Sequence, residues 1–197
     1  VGGDSTPTVT ATVDWRAKVV AREMLAGLYA ALRALVKGAP EEVIIAAGEL
    51  MTYVVVACVL GPSWRGRVNL FTTDNTNTRN WLKHRHSKIP VVQFLLRCLG
   101  MCEVSYGFET YAAYIRTCHN VIHDDLTREE WEAQLKALID DGFELVSIAE
   151  GWKHYLTELE KEHRAALVNF RAPDEDARLA RPLAKNRGGR PVPKALN

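Results

Sequence analysis

Four acids stand out by where they fall along this 197-residue chain. Asp4 follows Gly2-Gly3 in an extended opening segment, and Asp14 after Thr8–Val13 is its rival as the acid of a first strand. Glu49 is the lone charge in an eighteen-residue apolar run from Val43 to Leu60. Asp74 closes the β-branched stretch Arg67–Thr73 and precedes Asn75-Thr76-Asn77-Thr78. Asp124 and Asp125 stand shortly before Thr127-Arg128-Glu129-Glu130, which reads as a capping box. Glu is almost never buried without a partner, so Glu49 points toward a cleft. Acids that converge repel one another unless cations neutralise them. An all-oxygen set selects hard ions such as Mg²⁺ or Mn²⁺. Two such ions would clamp the attacking and leaving oxygens of a phosphodiester.

The elements that must position these acids follow from pattern. Thr8–Val13 reads as a strand, Lys18–Glu23 as a short strand, and Leu25–Val36 as an Ala/Leu-rich helix closed by Gly38 and Pro40. Val43–Leu60 is marginal for a membrane span, and a mid-span Glu is costly there. Polar flanks and length favour a core helix and no membrane. Arg67–Thr73 reads as a strand and Thr76–His86 as a basic helix. A further helix runs from Val91 to about Met101, and Tyr106–Arg116 alternates like a strand. The capping boxes at Thr127 and at Ser147-Ile148-Ala149-Glu150 open two last helices. This alternation predicts an α/β protein, a mixed sheet covered by helices.

Composition is that of an ordinary globular protein, 47% hydrophobic and 25% charged. Four cysteines lack zinc-ligand spacing, although Cys98 and Cys102 could meet on one helix face. No signal-peptide pattern opens the chain, and reduced thiols suggest an intracellular compartment. The net charge of +1 hides six cations and no acid in residues 178–197, which leaves residues 1–177 about five charges negative. That basic tail, residues 171–197, suits a flexible arm for a polyanion.

Two segments carry a resemblance. Val68–Leu82, VNLFTTDNTNTRNWL, is similar to the motif around the third carboxylate of retroelement ribonuclease H domains, where Asp-Asn follows a strand. Tyr114–Arg128, YIRTCHNVIHDDLTR, resembles their closing motif of strand, Asn, Ala-Asp and Leu-Ser-Arg, with His123 standing where Ala is usual. Ile45–Leu50 looks like the helix that carries the catalytic Glu, and Gly3–Thr6 like the opening Asp strand. The flavour is closest to the DIRS-like and gypsy-like retrotransposons.

The resemblance implies a ribonuclease H-like nuclease over residues 1–128 with a central sheet of about five strands. Residues 129–170 would then be a helical extension. It further implies an endonuclease that cuts the RNA strand of an RNA–DNA hybrid with two Mg²⁺ ions, in company with a reverse transcriptase domain upstream in the same polyprotein. Asp4, Glu49, Asp74 and Asp124 would be the metal ligands. Asn75, Arg79, Lys83, Arg85 and Lys88 would contact nucleic acid. His119 or His123 would assist the leaving group or metal turnover, since a His titrates near neutral pH. Two rival readings are a ribonuclease H-like module that binds without cutting, and a two-metal DNA nuclease of the same superfamily.

Overall fold

Residues 9–14, Val-Thr-Ala-Thr-Val-Asp, alternate apolar and hydroxyl side chains, the pattern of a strand whose faces meet different neighbours. In the computed structural model, which describes residues 1–36, 38–129 and 131–169, both faces of that strand are buried. The strands are β1 (Gly2–Ser5), β2 (Val9–Asp14), β3 (Val19–Met24), β4 (Val68–Thr73), β5 (Glu109–Tyr114) and β6 (Glu144–Val146). They form one sheet in the order β5-β4-β1-β2-β3-β6. The first three make an antiparallel meander, with Asp4 opposite Ala11 and Ala11 opposite Arg22. The pairs β1–β4, β4–β5 and β3–β6 are parallel.

Seven helices accompany the sheet among the described residues: α1 (Ala26–Leu35), α2 (Glu41–Leu60), α3 (Thr76–His84), α4 (Pro90–Tyr106), α5 (Val121–Thr127), α6 (Trp131–Asp140) and α7 (Ala149–Asn169). The apolar run becomes α2, buried continuously from Ala46 to Ala57. It is long and apolar enough to cross a membrane, yet 72% of its most apolar window is buried inside the protein. A helix apolar on all sides needs neighbours on all sides. Here β1 and β2 lie on one side, with α1, α3 and α4 around it, and Trp152 of α7 completes the enclosure.

The hydroxyls of β2 are buried because α2 supplies partners. Thr10 Oγ1 lies 2.6 Å from Ser5 Oγ and 2.8 Å from Thr52 Oγ1. Thr52 is also 3.0 Å from the Gly48 carbonyl oxygen, and Trp152 Nε1 donates to its hydroxyl at 3.2 Å. Buried polar groups need such partners, and this seam provides them. On the opposite face Ala11, Val13 and Val20 meet Leu126, Leu138 and Phe143.

Two expectations change. The sheet has six strands rather than about five, because Glu144–Val146 pairs with Val19–Ala21. Within the expected helical extension, β6 adds to the sheet, and Trp152, Leu156 and Leu159 of α7 fill the α2 core. One unit runs from Val1 to His163. Thr127 does not open a helix, since it ends α5, which contains Asp124 and Asp125. Likewise α7 begins at Ala149, and the Ser147 hydroxyl turns to Glu23 Oε2 at 3.4 Å. The basic tail, residues 171–197, lies outside the described residues.

Candidate functional site

The end of β4 decides how its acid is presented. Thr73 is buried, and its hydroxyl accepts a hydrogen bond from the Asn75 amide at 2.9 Å. Asn75 caps α3: its Oδ1 accepts from the amides of Asn77 (3.0 Å) and Thr78 (3.3 Å). Asp74 is thus relieved of capping and stays half-buried at the strand tip. Asn75, expected to touch nucleic acid, spends its side-chain oxygen on the helix instead.

One turn into α3, the fully buried Thr78 docks on α2. Its hydroxyl lies 3.1 Å from both the Ala46 carbonyl oxygen and Glu49 Oε2. A hydroxyl has one proton, so only one of these acceptors is served at a time. Glu49 Oε1 is buried with no hydrogen-bond partner. Burial pushes the Glu49 carboxyl up to about 8. The hydroxyls of Thr73 and Thr78 hold it down. The negative charges of Asp4 and Asp74 push it further up.

Asp4 lies on β1 beside β4, so two parallel strands bring their acids to the same end of the sheet, where functional groups collect in α/β proteins. Thr127 Oγ1 donates to Asp4 Oδ2 at 2.6 Å and is 3.0 Å from the Asp124 carbonyl oxygen. The last residue of α5 thereby ties the first acid to the last. Burial raises the Asp4 carboxyl above its ordinary range, the Thr127 hydroxyl opposes this, and the charges of Asp124 and Asp74 add to the rise. Asp124 Oδ2 pairs with Arg128 one turn later at 3.0 Å.

Asp4 therefore lies within electrostatic reach of Glu49, Asp74 and Asp124, and Glu49 within reach of Asp74. Among the described residues, no three acidic, histidine or cysteine side chains are close enough to form a ready-made metal cage. The donor set nevertheless fits a hard cation. It is all oxygen, one buried carboxylate oxygen is orphaned, and two carboxyls are raised in part by their fellow acids.

Asp14 has a different task. Its Oδ1 accepts from the amides of Arg16 and Ala17, both at 3.0 Å, and its Oδ2 accepts from Trp64 Nε1 at 2.7 Å. It closes the β2–β3 turn and anchors a buried tryptophan, which leaves Asp4 as the first-strand acid of the cluster. His123 is buried, with its Nδ1 2.9 Å from Asn120 Oδ1 and its Nε2 unpartnered. Desolvation holds it down at about 4, which leaves it neutral near pH 7. His119 is exposed.

The basic residues divide. Arg79 and Lys83 line an open cleft of about 980 Å³ together with Arg67, Glu109 and Tyr111. This cleft opens toward the start of β4, the far end from Asp74, so the acid cluster is not inside it. Arg85 is committed: its Nη2 meets Glu103 Oε1 at 2.6 Å and the Thr110 carbonyl at 3.0 Å. It serves the α3–β5 junction rather than a phosphate. Lys88 is exposed. Trp64 is buried, and Trp131 carries the Arg22 guanidinium 3.7 Å above its ring.

Sequence reasoning missed Thr78 and Thr127 as positioning residues. The small polar run after Asp74 signalled the first, and the Thr in the closing motif the second. Comparison with protein-family models, with curated proteins and with solved structures finds no match for this chain.

Proposed function

We propose that this chain is a metal-dependent nuclease with a ribonuclease H-like fold, which hydrolyses the RNA strand of RNA–DNA hybrids in the setting of a retroelement reverse transcriptase. One observation carries the reading: near the carboxyl end of β1 and β4, Asp4 feels the charges of Asp74 and Asp124, and the buried Glu49 those of Asp4 and Asp74, while Thr127 and Thr78 hold the two carboxyls in place. A fold gains nothing in stability from gathering acids there, and hard cations are the usual reason to do so. The mixed sheet with its helices is compatible with the proposed fold, and the motifs around Asp74 and Asp124 resemble those of retroelement ribonuclease H domains.

Asp4, Glu49, Asp74 and Asp124 would hold Mg²⁺, or Mn²⁺ in its place. Bound there, such ions neutralise the carboxylates and polarise the phosphodiester oxygens. The chain's own residues prepare the site. Thr127 orients Asp4, Thr78 orients Glu49, and Asn75 leaves Asp74 free by taking over the cap. Arg79, Lys83 and Lys88 would contact phosphates. A second reading, hybrid binding without cleavage, is favoured by the Arg128–Asp124 pair and the lack of a closed cage among the described residues.

A labelled RNA–DNA hybrid incubated with and without Mg²⁺ tests both readings. The nuclease reading expects Mg²⁺-dependent cleavage of the RNA strand that Asp74→Asn abolishes with the fold intact. Binding without cleavage establishes the second reading, and equal cleavage of double-stranded DNA would point to a DNA nuclease.

A further inference from the structure

Away from the acids, the fold brings together two thiols that lie 44 residues apart in sequence. Cys58, near the end of α2, and Cys102, in α4, have their sulfurs 3.0 Å apart. The hydroxyl of Tyr155, from α7, is 2.8 Å from Cys58 Sγ. The pair that sequence spacing suggested, Cys98 with Cys102, is not the one in contact. All four cysteines are free. Cys102 lines an open cleft of about 300 Å³ with Cys98, Phe94, His154 and Tyr155. Cys58 is half-buried, so a small oxidant can reach the pair. A disulfide has its sulfurs about 2.05 Å apart, and a movement of about 1 Å would close this gap.

We propose that Cys58 and Cys102 are an oxidation site at which a hydroperoxide forms a disulfide that staples α2 to α4. Cys58 attacks first. Its sulfur receives hydrogen bonds from the Cys102 thiol and, beyond the opposing effect of burial, from the Tyr155 hydroxyl, which together hold it down at about 6. A thiolate is the nucleophile toward peroxide. Burial raises Cys98 to about 11, so that neighbour stays protonated and does not compete.

In the first step the Cys58 sulfur bonds to a peroxide oxygen and the O–O bond breaks. This leaves a sulfenic acid on Cys58 and a hydroxide, which leaves as water with the proton shed by the Cys58 thiol. In the second step the Cys102 sulfur attacks the Cys58 sulfur and the S–O bond breaks. The departing hydroxide takes the Cys102 proton as a second water. With hydrogen peroxide, one oxidant molecule is reduced to two waters and each sulfur gives up one electron. A dithiol reductant reverses the bond. The staple grips the helix that carries Glu49 nine residues upstream, but the chemistry is independent of the nuclease reading.

The test uses the full chain and hydrogen peroxide, followed by alkylation of remaining thiols and peptide mapping without reductant. The expected product is an intramolecular Cys58–Cys102 cross-link with two thiols lost per chain. It should raise Tm by about 5–15 °C, because it closes a long loop, and dithiothreitol should undo it. Cys98→Ser leaves the cross-link in place, whereas Cys58→Ser and Cys102→Ser abolish it. A Cys98–Cys102 link, preferential oxidation of Cys118, or over-oxidation of Cys58 with no cross-link overturns the proposal. Should either serine variant fail to fold, the wild-type peptide map decides alone.

Discussion

Replacing Glu49 by Gln in the metal-free protein should make it more stable at high pH. A buried carboxyl held at about 8 rather than its ordinary 4.5 binds its proton more tightly in the folded chain than in the unfolded one. The folded state therefore binds more protons between those two values, and stability falls as pH rises through that window. At about 1.4 kcal/mol per unit, the loss approaches 5 kcal/mol above pH 8. Glu49 is fully buried, so no solvent screening reduces the figure. Gln keeps the shape and the Thr78 contact but cannot ionise. Urea unfolding in chelator, followed by circular dichroism, should find the two proteins alike near pH 4.5. At pH 8.5 the variant should be ahead by several kcal/mol, which is a Tm difference of about 10–20 °C. Asp4 titrates in both proteins, so the difference curve isolates Glu49. Millimolar Mg²⁺ should then stabilise wild type more than the variant, because ligand binding adds to the folded state alone. If wild type and Glu49→Gln keep the same pH dependence in chelator, the account of Glu49 as an uncompensated buried acid is wrong.

Other expectations are simpler to check. Thr127→Val removes the hydrogen bond that lowers Asp4. The acid limb of the cleavage pH profile should move to higher pH, with about 1–2 kcal/mol lost in stability. Asp14→Asn should weaken the Trp64 anchor by about 1–3 kcal/mol while hybrid cleavage persists, whereas Asp4→Asn should lose cleavage and remain folded. Gly151→Ala separates two accounts of residues 129–170. On an independent helix, alanine would stabilise by up to about 1 kcal/mol, but here its Cβ would collide with Val55 of α2, so thermal unfolding should show a loss of about 1–3 kcal/mol. Arg79→Ala with Lys83→Ala should flatten the salt dependence of hybrid binding by nearly two units of slope, while adding Arg85→Ala should cost stability through Glu103 and leave the slope unchanged.

What could be read from the residues was whatever local pattern controls. Glu49 was legible because a single charge in an apolar run has few explanations, and Asp74 because a strand ended on it. Asn75 was not, since Asp and Asn both make good caps and only the geometry of the turn chose the second. The Thr127 box failed for a related reason. The pattern that opens a helix also occurs where one ends, and here the Thr hydroxyl is drawn to Asp4, 123 residues away. Strand β6 escaped because three residues with two exposed side chains carry almost no periodicity. Cys58 and Cys102 escaped because nothing local relates residues 44 apart.

The alternation in β1 and β2 shows why the candidate acids could be named from sequence but their surroundings could not. Period two told which residues share a face, but not that both faces would be covered. On β1, Ser5 turns toward Thr10 and Thr52 under α2, while Asp4 turns to Thr127 of α5. The hydroxyl seam from Ser5 reaches Gly48, the residue before Glu49. The backbones that carry the first two acids, one in the sheet and one in the helix layer above it, are thus fixed to each other by polar contacts. Threonines that a two-faced strand would ordinarily show to water became the link between those layers, because α2 arrived with a threonine of its own. That choice depends on residue 52 meeting residue 10, a contact no local window contains.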